Sequence, residues 1–266
     1  MGECLVVVNQ KGGVGKTTTA VNVAAAAAAR GVRTLLVDLD AQGNATAGLG
    51  IDRSRLRHCI YDVLVPAVQG PGMRAEDVVI SCGVPNLDLI PATINLAGTD
   101  LALAPQIARE TRLRDKLEPI RGEYELLLID TAPSLGILTI NSLVAATGAI
   151  IPIQCEYYAL EGLSQLVQVI ELVQRNLNPA LRIEGVVLTM YDSRTTLSRD
   201  VAGEVRRHFG SRVFEATIPR NVRLAEAPSH GVPAISYAPG SSGARAYVDL
   251  CREVLEHVQE RARPRP

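Results

Sequence analysis

The chain is poor in lysine and in large aromatic side chains. Its 266 residues include three lysines against 24 arginines, two phenylalanines and no tryptophan. Proteins that bind single-stranded nucleic acid by base stacking need aromatic side chains on which the bases lie. The composition therefore argues against a stacking surface for single strands.

Cysteine usage and hydropathy exclude several further classes of protein. The five cysteines are scattered and form no Cys-x-x-Cys pair, so we expect no disulfide framework, zinc site or redox pair. A reduced, cytosolic compartment is then the default expectation. No apolar run reaches the about 18 residues of a membrane span. Strand-like sequence begins at residue 4, so we expect no signal peptide.

Charge is balanced over the whole chain but uneven along it. The net charge is −1, with 47% hydrophobic and 21% charged residues, as in an ordinary soluble globular protein. Whole-molecule charge therefore does not call for nucleic acid. Between residues 182 and 223, however, eight arginines stand against five acids. Such a segment is either a solvated face or a local patch for an anionic partner.

Two of the three lysines, Lys11 and Lys16, lie in one glycine-rich loop. The loop follows the apolar run Cys4–Val8 and precedes a helical stretch, an order of elements that surrounds nucleotide phosphates. Glycines let successive N–H groups turn towards an anion. Lys16 suits the β- and γ-phosphates, and the Thr17 hydroxyl suits Mg²⁺. The predicted nucleotide-binding residues of the loop are Lys11, Gly12, Gly13, Val14, Gly15, Lys16, Thr17 and Thr18.

The loop departs from the usual phosphate-binding motif at one position. Gln10 stands where that motif has glycine, and Lys11 follows at once. A second lysine at the mouth of the loop is not needed to bind phosphate within the same chain. Two interpretations stay open from the loop alone: Lys11 is a solvated lysine, or it reaches the nucleotide of another subunit.

Carboxylates end two of the apolar strand candidates. Asp38 ends the second candidate, with Asp40 two residues beyond it, and Asp130 follows Leu126–Ile129. Apolar residues leading into Asp are the pattern by which a buried strand places an acid beside bound Mg²⁺. We assign Asp130 and, second, Asp38 to the metal, through water, and Asp40 to orienting the attacking water. Phosphoryl transfer depends on positioning and charge stabilisation, so no protein nucleophile is required. Alternatively, these acids cap the loop or helix that follows.

Apolar, β-branched runs alternate with helical stretches, which predicts an α/β fold. Most runs are continuous, as in strands covered on both faces. We therefore expect a P-loop NTPase-like, mostly parallel twisted sheet with helices on both faces. No linker divides the chain, so we predict one domain over residues 1–266 with a frayed tail at about 261–266. The predicted strands are Cys4–Val8, Thr34–Asp38, Leu87–Pro91, Leu126–Asp130, Ala149–Ile153 and Ile183–Thr189. The predicted helices are Lys16–Ala29, Cys59–Leu64, Asn95–Leu103, Ile107–Ile120, Ile137–Ala146, Leu160–Asn176, Ser198–Phe209 and Gly243–Arg261.

Longer motifs make the chain resemble a known family. The loop from Lys11 to Thr18 resembles the deviant Walker A motif of the ParA/MinD superfamily. Three further segments resemble the chromosomal ParA/Soj branch, the partitioning ATPases. These segments are Val37–Thr46, Gln154–Gly162 and Ile218–Ser229. The resemblance extends from Cys4 to about Val258.

The resemblance implies an ATP hydrolase that uses ATP and Mg²⁺ and forms a sandwich homodimer with nucleotide at the interface. By this analogy Lys11 crosses to the phosphates of the partner subunit, while Lys16 binds phosphate in cis. Thr17 would hold the metal, and Asp40 the attacking water. The ATP dimer would bind double-stranded DNA without sequence preference. Hydrolysis would be weak until stimulated, and would release the DNA.

The resemblance also implies where other molecules bind. Arg194 and Arg220 match positions where the family places DNA-contacting charge. The segment Pro219–Ala225 would lie near the adenine, with Pro219 and Asn221 as contacts. The expected protein partner is a ParB-type centromere-binding protein whose N-terminal segment stimulates hydrolysis. The expected role is segregation of a chromosome or plasmid, in the cytoplasm and on the nucleoid.

Three alternatives remain at this level. A MinD-like membrane-associated ATPase needs a basic amphipathic C-terminal helix, but the last predicted helix carries Asp249, Glu253, Glu256 and Glu260. A metal-cluster carrier of the nitrogenase iron-protein type needs cysteines placed to hold a cluster across a dimer, a placement that these cysteines do not suggest. A nucleotide-dependent scaffold without enzymatic activity is the third, and a measurement of turnover distinguishes it.

Overall fold

Eight strands form one mostly parallel sheet in the part of the chain that the structure describes. The structure is a computed structural model, and it describes residues 2–66, 72–156 and 161–262. All six predicted strands are present, with ends that move by at most two residues. The strands are β1 (Glu3–Val7), β2 (Thr34–Leu39), β3 (Ile80–Ser81), β4 (Leu87–Ile90), β5 (Leu126–Thr131), β6 (Gly148–Gln154), β7 (Arg182–Tyr191) and β8 (Val213–Pro219).

Helices follow most of the strands, as the alternating pattern predicts. The α-helices are α1 (Lys16–Ala29), α2 (Asn44–Gly48), α3 (Ile60–Leu64), α4 (Thr99–Leu103), α5 (Arg112–Leu117), α6 (Ile137–Ala145), α7 (Glu161–Asn176), α8 (Thr196–Phe209), α9 (Val222–Glu226), α10 (Ala234–Tyr237) and α11 (Ser242–Ala262). Short 3₁₀ helices lie at Arg53–Arg55, Ala75–Val78, Ile94–Gly98, Glu118–Glu123, Gly210–Arg212 and Ala227–His230.

Two of the predicted helices are partly wrong. The helix predicted at residues 107–120 begins only at Arg112 and passes into a 3₁₀ helix at Glu118. Ala108 has a φ of 54°, a left-handed conformation that non-glycine residues rarely adopt and that cannot continue an α-helix. The helix predicted from Asn95 is a 3₁₀ helix up to Gly98 and is α-helical only from Thr99.

The sequence analysis missed two strands, and both lie at edges of the sheet. β8 pairs only with β7, and its sequence places the exposed Glu215 among the apolar residues, so it is not a continuous apolar run. β3 is two residues long and pairs antiparallel with β4. A strand that is not covered on both faces does not need a continuous apolar run. Edge strands are therefore harder to recognise from the sequence.

β1 lies near the centre of the sheet, between β5 and β6. The order of strands is β3-β4-β2-β5-β1-β6-β7-β8, and every pair except β3 with β4 is parallel. The carboxyl ends of β1, β2, β5 and β7 therefore meet at one edge of the sheet. Ligands of α/β proteins bind at that edge.

Apolar side chains pack in two layers, one on each face of the sheet. On one face, Leu5 and Val7 of β1 belong to a cluster with the alanines of α1 and with Tyr247 of α11. On the other, Val6 belongs to a cluster with residues of α3 and of α5 to α8. Alanine favours the helix and lets its backbone approach the sheet closely. The predicted P-loop NTPase-like α/β fold, with helices on both faces, is confirmed.

Some predictions fall on residues outside the described ranges. One is a surface loop over residues 66–72, which the proline and glycine content of that segment predicts and of which residues 67–71 are not described. The others are the first residue of the helix predicted from Leu160 and the tail after residue 262. Residues 261 and 262 of that tail belong to α11. One domain over residues 1–266 remains a prediction. Among the described residues, no helix combines the length and the apolar character that crossing a membrane would need.

Candidate nucleotide-binding site

The glycine-rich loop joins the end of β1 to the start of α1. Gly13 and Gly15 have φ of 74° and 89°, which L side chains adopt only with strain. Gly15 is the N-cap residue of α1, and no side chain caps the helix there. The first N–H groups of this 14-residue helix are therefore left for a ligand, and with the helix dipole they favour an anion.

Buried polar side chains fix the loop to the sheet. The Asn9 amide donates a 2.8 Å hydrogen bond to the carbonyl of Pro152 and accepts one of 3.0 Å from the backbone N–H of Lys11. The Thr189 hydroxyl donates to the carbonyl of Val14 at 2.9 Å. These contacts join the loop to β6 and β7. The sequence analysis missed Asn9 and Thr189, because their partners lie 143 and 175 positions away in the chain and only the fold brings them into contact.

The two lysines of the loop lie in different environments. Lys16 is buried, and its Nζ donates a 2.9 Å hydrogen bond to the carbonyl of Lys11. Burial lowers the pKa of Lys16, and the charges of Asp130 and Asp40 oppose that shift. Lys11 is only partly buried. Lys16 therefore faces the interior of the loop, whereas the Lys11 side chain is partly exposed.

Asp130 is the residue before the last in β5, next to the loop, and its carboxylate is fully buried. Neither oxygen has a hydrogen-bond partner among the described residues. Burial and the neighbouring Asp38 raise the pKa of Asp130 well above 3.8, while the nearby Thr17 hydroxyl and Lys16 lower it. A buried carboxylate without donors is costly. Free carboxylate oxygens beside a threonine hydroxyl and a phosphate loop are the donors that Mg²⁺ takes, directly or through water, so the residues fit the metal.

Asp38, by contrast, is held by protein donors. Its carboxylate accepts hydrogen bonds from the N–H and the hydroxyl of Thr46, at 2.8 and 2.7 Å, and from the N–H of Asp40 at 3.1 Å. Burial raises the pKa of Asp38 to about 6, although the Thr46 bonds lower it. The carboxylate thus joins β2 to α2, as in the capping interpretation. A metal-side role for Asp38 remains a prediction.

Asp40 follows β2 at the same edge of the sheet. It is 8% exposed, and its Oδ1 accepts a 2.9 Å hydrogen bond from the N–H of Gln42. Its charge acts on both Lys16 and Asp130. The structure therefore brings all three predicted carboxylates together at the loop. Orientation of water by Asp40 stays a prediction.

A cavity of about 220 Å³ adjoins the loop on the side of β7 and β8. The predicted adenine contacts, Pro219 and Asn221, line it together with Gly15 and Thr18. Met190 also lines it, with a φ of 52°, a strained conformation of the kind found at functional sites. The sequence analysis missed Met190, because its backbone conformation leaves no pattern in the sequence.

The two predicted DNA-contacting arginines lie in one surface groove. The groove, which we call the arginine groove, has a volume of about 570 Å³ and is lined in part by Arg194, Arg220 and Arg245. Arg194 pairs with Asp192 at 2.8 Å, and Arg220 pairs with Glu156 at 3.0 Å. Arg245 is exposed and forms no ion pair with any described residue. The sequence analysis missed Arg245, which lies outside the arginine-rich segment.

Comparisons with known proteins agree with this geometry. The family model described as "AAA domain" matches residues 2–183. The chain is 53% identical to the sporulation initiation inhibitor protein Soj of Bacillus subtilis, over 96% of this chain and 98% of that protein. It is 50% identical to the chromosome partitioning protein ParA of Caulobacter vibrioides, over 97% and 95%. The chain belongs to the Soj/ParA family of chromosome-partitioning ATPases.

A solved structure supports the fold of this Soj/ParA-family chain. A cobyrinic acid a,c-diamide synthase from Mycobacterium smegmatis, solved with bound ADP and magnesium, is 36% identical and superposes with a TM-score of 0.85. The match covers 100% of this chain and 98% of that one. The sequence relatives confirm the resemblance to ParA/Soj, and the MinD-like alternative is not favoured. The roles of the individual site residues remain predictions.

Proposed function

We propose that this chain is a Mg²⁺-dependent ATPase that closes as a homodimer over ATP and binds double-stranded DNA without sequence preference. A ParB-type partner would stimulate its weak hydrolysis and so drive segregation of a chromosome or plasmid. The observation that carries the proposal is Asp130, a buried carboxylate without protein donors among the described residues, at the end of the strand beside the phosphate loop. A nucleotide and its metal give that carboxylate a partner.

Different residues at the loop bind the phosphates, the metal and the attacking water. The N–H groups from Gly12 to Thr17 and the Lys16 ammonium bind the phosphate oxygens. Thr17 and Asp130 would hold Mg²⁺, the latter through water, and the ion would neutralise charge on the phosphates. Asp40 orients the attacking water. Such a site works by preorganised charge, which agrees with a loop that the side chains of Asn9 and Thr189 fix to the sheet.

The position of Lys11 supports a second subunit. Its backbone is fixed on both sides, because Asn9 accepts from its N–H and Lys16 donates to its carbonyl. Its side chain lies partly exposed at the mouth of the loop, while Lys16 already occupies the interior. A lysine held in this way is placed to reach phosphates outside its own loop. We therefore assign Lys11 to the ATP of the partner subunit.

The arginine groove supports DNA binding that depends on the nucleotide. It shares Pro219 and Arg220 with the cavity beside the loop, so the two surfaces are contiguous. One protomer, with a net charge of −1, would bind a polyanion such as DNA only weakly by itself. A dimer doubles the phosphate contacts, and affinity rises steeply with their number. ATP-driven dimerisation would thus control DNA binding and association with the nucleoid.

The ParB-type partner rests on the relatives. The B. subtilis and C. vibrioides relatives cover nearly the whole chain at about half identity, and the second is named as a chromosome partitioning protein. A site that hydrolyses weakly until stimulated suits a partner that triggers release from DNA. The partner is therefore expected to raise turnover when DNA is present.

The Asp40→Ala variant provides the sharpest test. It keeps the phosphate loop but loses the group that orients water, so we expect it to bind ATP and Mg²⁺ and to remain dimeric on gel filtration. Fluorescence anisotropy with a labelled random-sequence duplex should show tight binding with ATP and weak binding with ADP. Failure of the folded parent to bind ATP and Mg²⁺ by calorimetry would refute the proposal. So would equal DNA affinity in both nucleotide states.

A further inference from the structure

Two glycines that lie far apart in the chain bring their backbones into direct contact, which we call the glycine contact. Gly50 lies two residues after α2 and has a φ of 78°, and Gly231 follows the 3₁₀ helix Ala227–His230 and has a φ of 66°. A Cβ on Gly231 would lie 2.7 Å from the Cα of Gly50, and a Cβ on Gly50 would lie 2.9 Å from the carbonyl oxygen of Gly231. Neither position has room for a side chain, so only glycine allows this approach.

On one side, the glycine contact holds α2, and α2 fixes the chain around Asp40. Gly43 is the N-cap residue of α2, and its N–H donates a 2.8 Å hydrogen bond to the carbonyl of Asp40. Thr46, within α2, donates two hydrogen bonds to Asp38, two residues before Asp40. Because α2 is only five residues long, a shift at its end is passed on to its start. A displacement of α2 would therefore move Asp40.

On the other side, the glycine contact is fixed to α1, the helix that begins at the phosphate loop. The N–H of Gly231 donates a 3.1 Å hydrogen bond to the carbonyl of Pro228. The Asn22 side chain of α1 accepts a 3.3 Å bond from the N–H of Ile235 and donates a 2.8 Å bond to the carbonyl of Thr18. Asn22 is buried. The segment that contains Gly231 is thus held by the helix whose first turn faces the phosphates in the proposed function.

The glycine contact therefore joins two parts of the site that belong to different segments. The start of α1 supplies donors for the phosphates, whereas Asp40 follows β2. Orientation of an attacking water requires a fixed geometry between the phosphates and the carboxylate. The close approach is made at Gly50 and not within α2 itself, since a Cβ on Gly48 would lie 4.0 Å from the Pro228 side chain, an ordinary packing distance.

We propose that Gly50 and Gly231 are positioning residues for hydrolysis, because their backbone contact sets α2, and with it Asp40, at a fixed distance from the phosphate loop. The inference rests on the role of Asp40 in the proposed function. Neither glycine lines the cavity beside the loop, so both act through Asp40 and not through the nucleotide. Disruption of the glycine contact should slow turnover without loss of ATP binding.

Gly231→Ala and Gly50→Ala test the glycine contact. Each adds a Cβ where the backbone of the other glycine lies, so α2 or the facing turn must move. We expect single-turnover ATP hydrolysis at least about tenfold slower than in the parent, because a misplacement of about 1 Å can cost roughly a hundredfold in rate. Calorimetry with ATP and Mg²⁺ should give an affinity within a few-fold of the parent, since the phosphate loop is intact.

Two controls separate the glycine contact from other effects of an added methyl group. Gly31→Ala introduces the same left-handed strain, at a φ of 86°, with nothing within 4 Å of the new Cβ. Gly48→Ala adds a Cβ within α2 itself, where the structure has room for it. Both should hydrolyse ATP like the parent. Thermal melting of all four variants shows which of them are folded and how much stability each one loses.

Several results would overturn the proposal. These are parental turnover in folded Gly231→Ala and Gly50→Ala, an equal loss of turnover in either control, or a loss of ATP affinity in parallel with turnover, which would show support of the whole site. Gly50→Ala alone serves if Gly231→Ala does not fold. If Asp40→Ala hydrolyses ATP as fast as the parent, the proposed role of Asp40 itself is refuted, and the inference with it.

Discussion

Asp38 and Asp130 are register partners on the neighbouring parallel strands β2 and β5, but only Asp38 is satisfied by the described part of the protein. Thr46 donates to it from both its N–H and its hydroxyl, while neither oxygen of Asp130 has a partner among the described residues. Two acids that look alike in sequence therefore differ in what they can bind. Asp38 fixes α2 to the sheet, and Asp130 has lone pairs available for metal-bound water.

Asp130→Asn should stabilise the protein in the absence of nucleotide. Burial and the neighbouring Asp38 raise the pKa of Asp130 above 3.8. The Asp130 carboxyl group therefore binds its proton more tightly in the folded state than in the unfolded state. The contribution of Asp130 to stability therefore falls as pH rises through 3.8, until the raised pKa is passed. The variant lacks this charge, and its melting temperature at pH 7.5 should exceed that of the parent.

The same variant should respond less than the parent to Mg²⁺ and ATP, because it lacks the Asp130 carboxylate that we assign to metal-bound water. Differential scanning fluorimetry between pH 5 and 8, with and without Mg²⁺ and ATP, measures both effects. An equal rise in melting temperature for variant and parent on adding Mg²⁺ and ATP would contradict a metal-side role for Asp130.

Lys11→Ala should separate nucleotide binding from dimerisation. The interior of the loop keeps Lys16, so the variant should bind ATP with an affinity within a few-fold of the parent. Without the side chain at the mouth of the loop, it should elute as a monomer on gel filtration with ATP and Mg²⁺. Lys116→Ala is the control. It removes the third lysine, which lies outside the loop and donates a hydrogen bond to the carbonyl of Met73, so this variant should dimerise normally. Equal dimerisation of all three proteins would leave Lys11 as a solvated lysine.

Arg245→Ala should weaken DNA binding. Arg245 lines the groove with Arg194 and Arg220 but forms no ion pair with any described residue, so no described acid has to be displaced from it. We expect about a three- to tenfold decrease in affinity at moderate salt. The salt dependence should become shallower by about one unit for each DNA phosphate that the variant no longer binds. Anisotropy titrations at several salt concentrations measure both quantities.

Arg252→Ala is the matched control for that experiment. It changes an arginine seven residues further along α11, outside the groove, with Asp249 and Glu256 at 3.9 and 4.0 Å. It should bind DNA like the parent. If Arg194→Ala and Arg220→Ala reduce affinity and Arg245→Ala does not, the groove still binds DNA but Arg245 does not touch it.

Gly185→Ala should destabilise the fold far from the site. A Cβ at this position of β7 would lie 2.4 Å from the ring of Phe214 on β8, so strand or ring must move. Overpacking of this kind costs about 1–3 kcal/mol. Gly203→Ala, at a helical position of α8 with nothing within 4 Å, should instead stabilise by about 0.5–1 kcal/mol. Urea unfolding of both variants gives the two free energies; a neutral Gly185→Ala would show that β8 shifts easily.

Some of this molecule is predictable from short segments. Continuous apolar runs predict central strands such as β1 and β5, because burial on both faces removes polar residues. The order of strand, glycine loop and Lys-Thr predicts the phosphate site. β8 is missed because Glu215 interrupts its pattern, and the helix predicted from Ile107 fails at Ala108, whose conformation depends on its surroundings.

Local sequence is enough to specify most of the elements and the chemistry of the loop, because periodicity, glycine and lysine act over a few neighbouring residues. The tertiary fold is needed to learn which acid is satisfied by protein donors and which arginines share a groove. Hydrogen bonds such as that between Thr189 and Val14 join residues far apart in the chain. No local pattern in the sequence predicts such contacts, since they depend on the order of the strands in the sheet.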